Sequence, residues 1–396
     1  MDYWLECIHC KATYSKEEII YTCKKCKDIL DVKYTYEDGS LDQARQGVWR
    51  YRNFLPIENG KKIVTLNEGN TTLFKCDNLA KVLGIRELYI KNEGENPTGS
   101  FKDRGMTVGV TKALEYGAKA VGCASTGNTS ASLAAYSAKA NLKCLIFIPS
   151  GKIAFGKLAQ ALVYGADVYT VQGNFDKAME LVTKLGKKGK IYLLNSINPY
   201  RTEGQKTLAY EIAEQLGEDN SIDRVFVPVG NAANINAIWK GFNEFLRFDY
   251  LEKLPRMFGV QAKGANPLAR TFELNSKYKP IPKPETIATA IRIGNPISWK
   301  KATAAAKNSN GFIFSVTDDE ILEAQALLAQ KEGIFVEPAS ASSIAGLKKL
   351  VEDNEIGKDE RIVCVTTGNG LKDPNVVVDN FKNKIKKIKD INKIKL

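Results

Sequence analysis

From about Leu88 onward, short apolar runs alternate with longer stretches of helical spacing. "ELYIK" is strand-like, and a helix is predicted from about Gly105 to Tyr116. "AVGCAST" reads as a strand running into a polar turn, and an Ala-rich helix from Ser130 to Ala140 follows. The strands "CLIFIP", "DVYTV" and "IYLLN" are separated by helical "GKLAQALVYG" and by a helix near Phe175 to Leu185. Then come "TEGQKTLAYEIAEQLG" as helix, "RVFVPV" as strand, "AANINAIWKGFNEFL" as helix and "MFGVQA" as strand. Near the end "TDDEILEAQALLAQKEG" is helical and "RIVCVTT" is a strand. A strand reaches a parallel neighbour only through a long crossover. Strands alternating with helices of about ten residues or more therefore imply parallel sheet and an α/β architecture. The strand cores are nearly continuous apolar runs, as expected where helices cover both faces of a sheet.

A chain of 396 residues is too long for one small core and suggests about two to three domains. Hydrophobic content of 44% and charged content of 26% are those of a soluble globular protein. There is no apolar run of about 18 residues, so no membrane span is expected. The opening "MDYWLECIHC" lacks a basic segment followed by an apolar one, so no signal peptide is expected and the predicted location is cytoplasmic. The formal net charge of +12 raises nucleic acid as a partner. Yet the lysines are spread along the chain, and the one dense cluster is the tail "NKIKKIKDINKIKL", which reads as a solvated C-terminal helix. A positive field also draws in anionic substrates.

Cys7, Cys10, Cys23 and Cys26 form C-x2-C…C-x2-C with twelve residues between the pairs. That spacing fits a zinc ribbon, four thiolates around one tetrahedral ion, or a metal-free relic of one. A pair of disulfides or a redox motif is the alternative; without a secretory signal, disulfides are not expected. Cys76, Cys123, Cys144 and Cys364 lie in apolar contexts and read as core. The chain's one histidine, His9, lies inside the first cysteine pair. A histidine base, a Ser-His-Asp triad and H-E-x-x-H metal sites are thereby excluded from the main body. Chemistry there must run on lysine, carboxylates, hydroxyls or a cofactor.

In open α/β sheets ligands bind beyond the carboxyl ends of strands. Ser125-Thr-Gly-Asn-Thr-Ser130, Gly230-Asn-Ala-Ala-Asn234 and Thr367-Gly-Asn-Gly-Leu-Lys-Asp373 each follow a strand, and they are expected at one end of a sheet. Singly they are ordinary turns. Together with Lys102, which "NPTGSFKDRGM" places between a Gly/Ser turn and a helix, they suggest a pocket. "GNAAN" opens onto a helix, so its backbone N–H groups and the helix dipole suit a phosphate. Gly151-Lys-Ile-Ala-Phe-Gly-Lys157 has P-loop spacing, but Leu158 stands where Ser or Thr should hold Mg²⁺, which argues against nucleotide binding. A phosphate cradle, a fixed amine and no catalytic histidine point to pyridoxal phosphate (PLP).

"NPTGSFKDRGM" resembles the cofactor-lysine segment of the threonine synthase family, within the tryptophan-synthase-β-like (fold type II) PLP enzymes. "GVWRYRNFLP", "VTLNEGNTTL", "ASTGNTSAS", "NSINPYRTEGQKT", "PVGNAANI", "IATAIRIGNPISWKKA" and "VTTGNGLKDP" are similar to family segments, so the resemblance covers nearly the whole chain. The ribbon is similar to one that precedes many shorter microbial members. The resemblance implies two open, mostly parallel-sheet α/β domains with PLP at their interface. Residues 1–35 would be the ribbon, 36–104 with 196–396 a large PLP-binding domain, and 105–195 a small mobile one. It implies Lys102 as the Schiff-base lysine and Asn128 on the cofactor's 3-hydroxyl oxygen. Gly230, Asn231, Ala232, Ala233 and Asn234 would bind the cofactor phosphate. Thr367, with Thr366 as the alternative, would meet the pyridine nitrogen. The substrate carboxylate would lie on Ser125, Thr126 and Thr129, and the substrate phosphate on Asn195, Ser196, Arg201 and Asn231.

The implied reaction turns O-phospho-L-homoserine and water into L-threonine and phosphate, in a homodimer without a membrane or nucleic-acid partner. Cysteate synthase and threonine/serine dehydratase are the neighbouring alternatives on the same scaffold; a zinc-ribbon nucleic-acid binder is the alternative of another class. Plainer structural readings stand beside these roles: Arg201 paired with Glu203, Asn195 capping a helix, and Ser125 and Thr126 as turn formers. Two positions depart from the family pattern. Family members often carry glycine at Ala233, and if φ is positive there an alanine costs roughly 1 kcal/mol. Asn369 stands where many relatives carry histidine. The ribbon is expected to pack against the catalytic body or a neighbouring subunit.

Overall fold

In the computed structural model the described residues are 2–36, 39–58, 60, 62–150, 155–173, 175–217, 219–382 and 385. The P-loop-like stretch at 151–157 lies largely outside them, and the basic tail at 383–396 almost wholly. The strands are, in chain order, β1 (Asp2–Cys7), β2 (Thr13–Tyr14), β3 (Leu30–Thr35), β4 (Leu73–Lys75), β5 (Glu87–Asn92), β6 (Ala120–Ala124), β7 (Lys143–Pro149), β8 (Asp167–Val171), β9 (Tyr192–Leu193), β10 (Arg224–Pro228), β11 (Arg256–Ala262), β12 (Ile313–Val316) and β13 (Arg361–Thr366). They form an antiparallel sheet β2-β1-β3, a six-stranded sheet β12-β11-β10-β13-β5-β4 and a four-stranded sheet β8-β7-β6-β9. The four-stranded sheet is parallel throughout, and the six-stranded one is parallel except where β4 joins β5. Among the described residues no helix is long and apolar enough to cross a membrane.

The continuous apolar strands are explained by burial on both faces. In β10, Phe226 belongs to one hydrophobic cluster while Val225 and Val227 belong to another; Cys364 and its neighbours Val363 and Val365 divide the same way in β13. Alternate side chains thus enter two separate helix-covered cores. The ribbon sheet packs on the body: Tyr3, Leu5, Cys7, Cys23, Leu30 and Val32 share a buried cluster with Tyr200.

Three helix boundaries differ from the expectation. The helix predicted from Gly105 runs Lys102–Glu115. Asp103 accepts from the Thr98 N–H and Thr98 Oγ1, both at 2.7 Å, which closes the turn early and makes Lys102 the first helical residue. Gly105 is not a boundary signal: a Cβ there would lie 2.7 Å from the Arg201 carbonyl oxygen, so glycine permits a close helix crossing. The long helix predicted from Thr202 is two helices, Pro199–Gln205 and Thr207–Leu216, divided at Lys206. The Ala233–Arg247 helix crosses at that break, where a Cβ on Gly241 would lie 2.4 Å from the Lys206 carbonyl oxygen. The Ala-rich helix starts at Asn128 rather than Ser130.

Candidate active site

The expectation that the three small polar turns share one sheet is corrected. Ser125–Ser130 follows β6 of the four-stranded sheet, while the other two turns follow β10 and β13 of the six-stranded sheet. The site therefore lies between two sheets. The Lys102 loop is stitched to the last turn by Phe101 N–H donating to the Thr367 carbonyl (3.1 Å) and Asn369 N–H donating to the Gly99 carbonyl (2.9 Å).

Lys102 is half-buried, and its ammonium atom lies 3.8 Å from the centre of the Phe101 ring. Among the described residues it has no hydrogen-bond partner. Burial pushes its pKa well below that of an ordinary lysine, the positive charge of Arg201 pushes the same way, and the Glu337 carboxylate opposes both. An amine so placed is neutral over more of the pH range than a surface lysine and is a competent nucleophile and base.

Asn128 Nδ2 donates to Glu337 Oε1 at 2.9 Å. Gly368 passes close by: a Cβ there would lie 2.7 Å from Glu337 Oε1 and 3.4 Å from Asn128 Nδ2. Thr367 Oγ1 lies 3.1 Å from Ser340 Oγ, which also accepts from the Thr367 and Gly368 N–H groups. Thr366 turns the other way and donates to the Lys91 carbonyl at 3.2 Å. Of the two threonines, Thr367 is thus on the Asn128 side.

In the Gly230–Asn234 turn the strained residue is Ala232, at φ +66°, and Ala233 is the first residue of the following helix. The backbone strain anticipated for a positive φ at Ala233 therefore falls one residue earlier, on Ala232. An alanine in the left-handed region costs about 1–2 kcal/mol. Gly230 is needed for space, since a Cβ would lie 3.0 Å from the Ile291 Cα. Asn231 is tied on both sides, donating to Ser196 Oγ at 3.0 Å and accepting from the Ile297 N–H at 3.2 Å.

Arg201 is 2% exposed and belongs to the Pro199–Gln205 helix, whose cap is Asn198, not Asn195. Among the described residues no carboxylate pairs with it. The plain pairing with Glu203 does not occur: Glu203 binds Lys206 (2.9 Å), Lys240 (2.7 Å) and the Tyr34 hydroxyl (2.6 Å). Burial holds the Arg201 pKa down to about 10. Asn195 has its amide committed elsewhere, with Oδ1 accepting from the Ala124 N–H and Nδ2 donating to the Ala124 carbonyl, both at 2.9 Å. It brackets the end of β6, which leaves one amide N–H without a protein acceptor among the described residues. Ser125 Oγ accepts from the Gly127 N–H at 3.2 Å and so forms the turn, while Thr126 and Thr129 flank Asn128 and stay partly exposed.

Buried polar atoms need partners, and those without one cost about 1–3 kcal/mol each. Here Ser100 Oγ, Asn128 Oδ1, Arg201 Nε and both heteroatoms of Asn234 are buried without a hydrogen-bond partner. Asn128, Arg201 and Asn234 are residues that the PLP reading assigns to cofactor or substrate. With the glycine-lined cradle at Gly230 and the neutral-leaning Lys102 amine, these residues fit a phosphorylated aldehyde and an anionic substrate.

The four ribbon thiols fit a metal ion. Sγ atoms of Cys7 and Cys26, and of Cys10 and Cys23, are 3.4 Å apart, Cys26 and Cys10 are 3.5 Å apart, and the four lie within 4.8 Å of one another. Zn–S bonds of about 2.3 Å in a tetrahedron require S···S near 3.8 Å. Lys11 and Lys27, each just after the second cysteine of a pair, adopt φ of +60° and +64°, which turns both pairs toward one point.

Sequence reasoning missed Glu337 and Ser340, which support Asn128 and Thr367. Glu337 stands 209 residues after Asn128 and Ser340 stands 27 residues before Thr367, both at the start of the Pro338–Glu352 helix, and no local pattern marks either.

Residues 64–368 match the pyridoxal-phosphate dependent enzyme family. The chain is 58% identical over 397 residues to a threonine synthase of Methanocaldococcus jannaschii, covering 98% of each protein. It is 55% identical over 383 residues to a threonine synthase of Methanosarcina acetivorans, covering 95% of this chain and 94% of the relative. Among solved structures it is similar to threonine deaminase isoform 2 from Solanum lycopersicum, with a TM-score of 0.64 at 24% identity over 76% of this chain and 79% of that one. It is similar too to diaminopropionate ammonia lyase from Escherichia coli, with a TM-score of 0.68 at 16% identity over 81% and 90% of the two chains. Those two likenesses carry the fold, fold type II, and nothing finer.

Proposed function

The chain belongs to the threonine synthases of the pyridoxal-phosphate dependent enzymes, and from that premise we propose that it converts O-phospho-L-homoserine and water to L-threonine and inorganic phosphate. The observation that carries the substrate reading is Arg201: a buried guanidinium, unpaired with any described carboxylate, whose charge is felt at Lys102. A free hydroxyl on the substrate would leave that charge buried without a counter-ion, whereas a phosphate ester supplies one.

PLP held at Lys102 supplies an electron sink for carbanion chemistry at the substrate's Cα. Lys102 Nζ, an amine whose pKa burial lowers, would take the Cα proton when it is not bonded to the cofactor and later return protons to carbon. The helix start at Asn128, with Ser125, Thr126 and Thr129, receives the substrate carboxylate on N–H groups and hydroxyls. Arg201, with Ser196 held by Asn231, orients the substrate phosphate and stabilises the charge of the leaving phosphate. The N–H groups of Gly230–Asn234 would hold the cofactor phosphate, Asn128 would meet the 3-hydroxyl oxygen, and Thr367 would donate to the pyridine nitrogen. A hydroxyl partner would favour an unprotonated nitrogen there, whereas a carboxylate would favour a protonated one.

The same reading divides the chain into a ribbon at 1–35, a large domain at 36–104 with 196–396, and a small mobile domain at 105–195. The four strands of the smaller sheet, within 120–193, support that division. The thiol cluster takes a structural Zn²⁺, and four reduced cysteines suit a cytoplasmic location. A homodimer is the proposed assembly, with Leu162, Val163 and Phe175 as exposed apolar side chains available to a partner. A phosphate-release assay on phosphohomoserine, with the cofactor spectrum recorded alongside, tests the activity. Release from phosphoserine with sulfite but none from phosphohomoserine would overturn it.

A further inference from the structure

The span from β9 to Glu203 carries Asn195, Ser196 and Arg201, and the N-terminal ribbon grips it at three points. At its start, the Leu193 N–H donates to the Tyr21 hydroxyl at 2.9 Å, and the Tyr21 ring packs on Tyr192 with centroids 5.9 Å apart. At its middle, Tyr200, the residue next to Arg201, is buried in the ribbon's own core with Tyr3, Leu5 and Val32. At its end, the Tyr34 hydroxyl donates to Glu203 Oε2 at 2.6 Å. Lys240 fastens the same carboxylate, donating to Glu203 Oε1 and to the Val32 carbonyl of β3, both at 2.7 Å. The ribbon also reaches the helix that Lys102 begins. Lys112 of that helix has its ammonium 4.9 Å from the ring centres of both Tyr3 and Tyr200.

These contacts have a chemical consequence. Glu203 is only two residues from Arg201, and its carboxylate is saturated by Tyr34, Lys206 and Lys240. Arg201 is left with buried donors and no internal acceptor for Nε. A guanidinium kept free and held still binds an anion without first paying for reorientation.

We propose that the ribbon is a positioning element for the substrate-anion site: Tyr21 and Tyr34 fix the span from Leu193 to Glu203 so that Arg201 is presented to the substrate phosphate in one orientation. This inference rests on the reading of Arg201 as the phosphate-binding residue. Neither tyrosine touches substrate; both act through Arg201.

The test uses full-length holoenzyme carrying Tyr21→Phe and Tyr34→Phe, which remove two hydroxyls and keep both rings. Loss of two hydrogen bonds that hold the span raises KM for phosphohomoserine and the inhibition constant of inorganic phosphate on the order of fivefold, with kcat within about twofold. The cofactor absorbance is unchanged. A purely structural ribbon would lower Tm and leave both constants where they were, and that result overturns the proposal. Arg201→Lys is measured beside it. If that variant also leaves phosphate inhibition unchanged, the anion reading fails and the positioning role fails with it. If it weakens inhibition and the tyrosine variant does not, only the positioning role fails. Should the double variant not fold, Tyr34→Phe alone makes the same comparison.

Discussion

Lys102 was legible because a lysine at a turn–helix joint, beside small polar turns and without a competing histidine, has few other uses. Asp103 and Arg104 were not, because their partners are distant in the chain. Asp103 holds Thr98 and accepts from Ser132 Oγ at 2.5 Å; Arg104 binds Glu93 and Glu211, each at 2.6 Å. Behind Lys102 stands a buried network of Lys91, Glu211, Arg104 and Glu93, and every member is nearly inaccessible. Among the described residues, Arg104→Met would leave Glu211 with Lys91 as its one paired cation and Glu93 without its own, at a cost of about 3–5 kcal/mol in denaturant unfolding. Glu211 is raised by burial but pulled down, net, to about 2 by Arg104 and then Lys91. A depressed carboxylate contributes stability that is present above its unfolded pKa of roughly 4.3 and is lost as pH falls toward the folded value. The wild type should therefore lose stability in that acid window, and Arg104→Met should show a flatter profile there. A second outcome concerns Lys102. Arg201 depresses its pKa, so Arg201→Gln raises it and the neutral amine appears only at higher pH. The rate at which apoenzyme captures PLP should follow the neutral fraction, with its midpoint moved upward in the variant. An unmoved midpoint would mean that Arg201's charge does not reach the amine.

The helices were legible in kind but not in their ends, and each error has a local cause. The Lys102 helix starts early because a side chain, Asp103, closes the preceding turn, and the helix after Asn198 breaks because another helix presses on Lys206. The crossing of the Lys102 and Arg201 helices depends on missing side chains. A Cβ on Gly204 would fall 1.8 Å from the Arg104 carbonyl oxygen, so the two functional residues are brought together by backbone contact. The phosphate turn shows the opposite compromise. Sequence pattern alone marked an alanine in place of glycine, but only the backbone reveals that the strain falls on Ala232 at φ +66°. Glycine adopts that conformation freely. Ala232→Gly should raise unfolding stability by about 1 kcal/mol without weakening cofactor binding. Equilibrium denaturation with PLP titration checks both parts. Destabilisation of the variant would show that the alanine methyl contributes packing larger than its conformational cost.

The α/β class follows from strand runs that are apolar on both faces, but sheet membership does not. β5 pairs with β13 from Glu87 against Arg361, far along the chain, while β9 joins its sheet through two residues, Tyr192 and Leu193. Which polar turns face one another is decided by those pairings, so the expectation of one sheet end failed. The same division makes a thermodynamic demand. Gly230–Asn234 and Thr367 are borne by the six-stranded sheet, Asn128 follows β6 of the four-stranded one, and Arg201 lies on a helix crossing the Lys102 helix. A ligand that engages both sides binds only the assembled state and stabilises it by mass action, about 2.7 kcal/mol at a hundredfold excess over Kd. PLP should raise Tm of the apoenzyme, and saturating inorganic phosphate should raise Tm of the holoenzyme again. In Arg201→Gln the first increment should remain and the second should vanish, because the proposed reading gives the cofactor phosphate to Gly230–Asn234 and the substrate phosphate to Arg201. Calorimetric scans at constant ionic strength measure both steps. Equal second increments in the two proteins would place the substrate anion away from Arg201. A first increment lost in the variant would instead place Arg201 at the cofactor, with the two phosphates sharing one site.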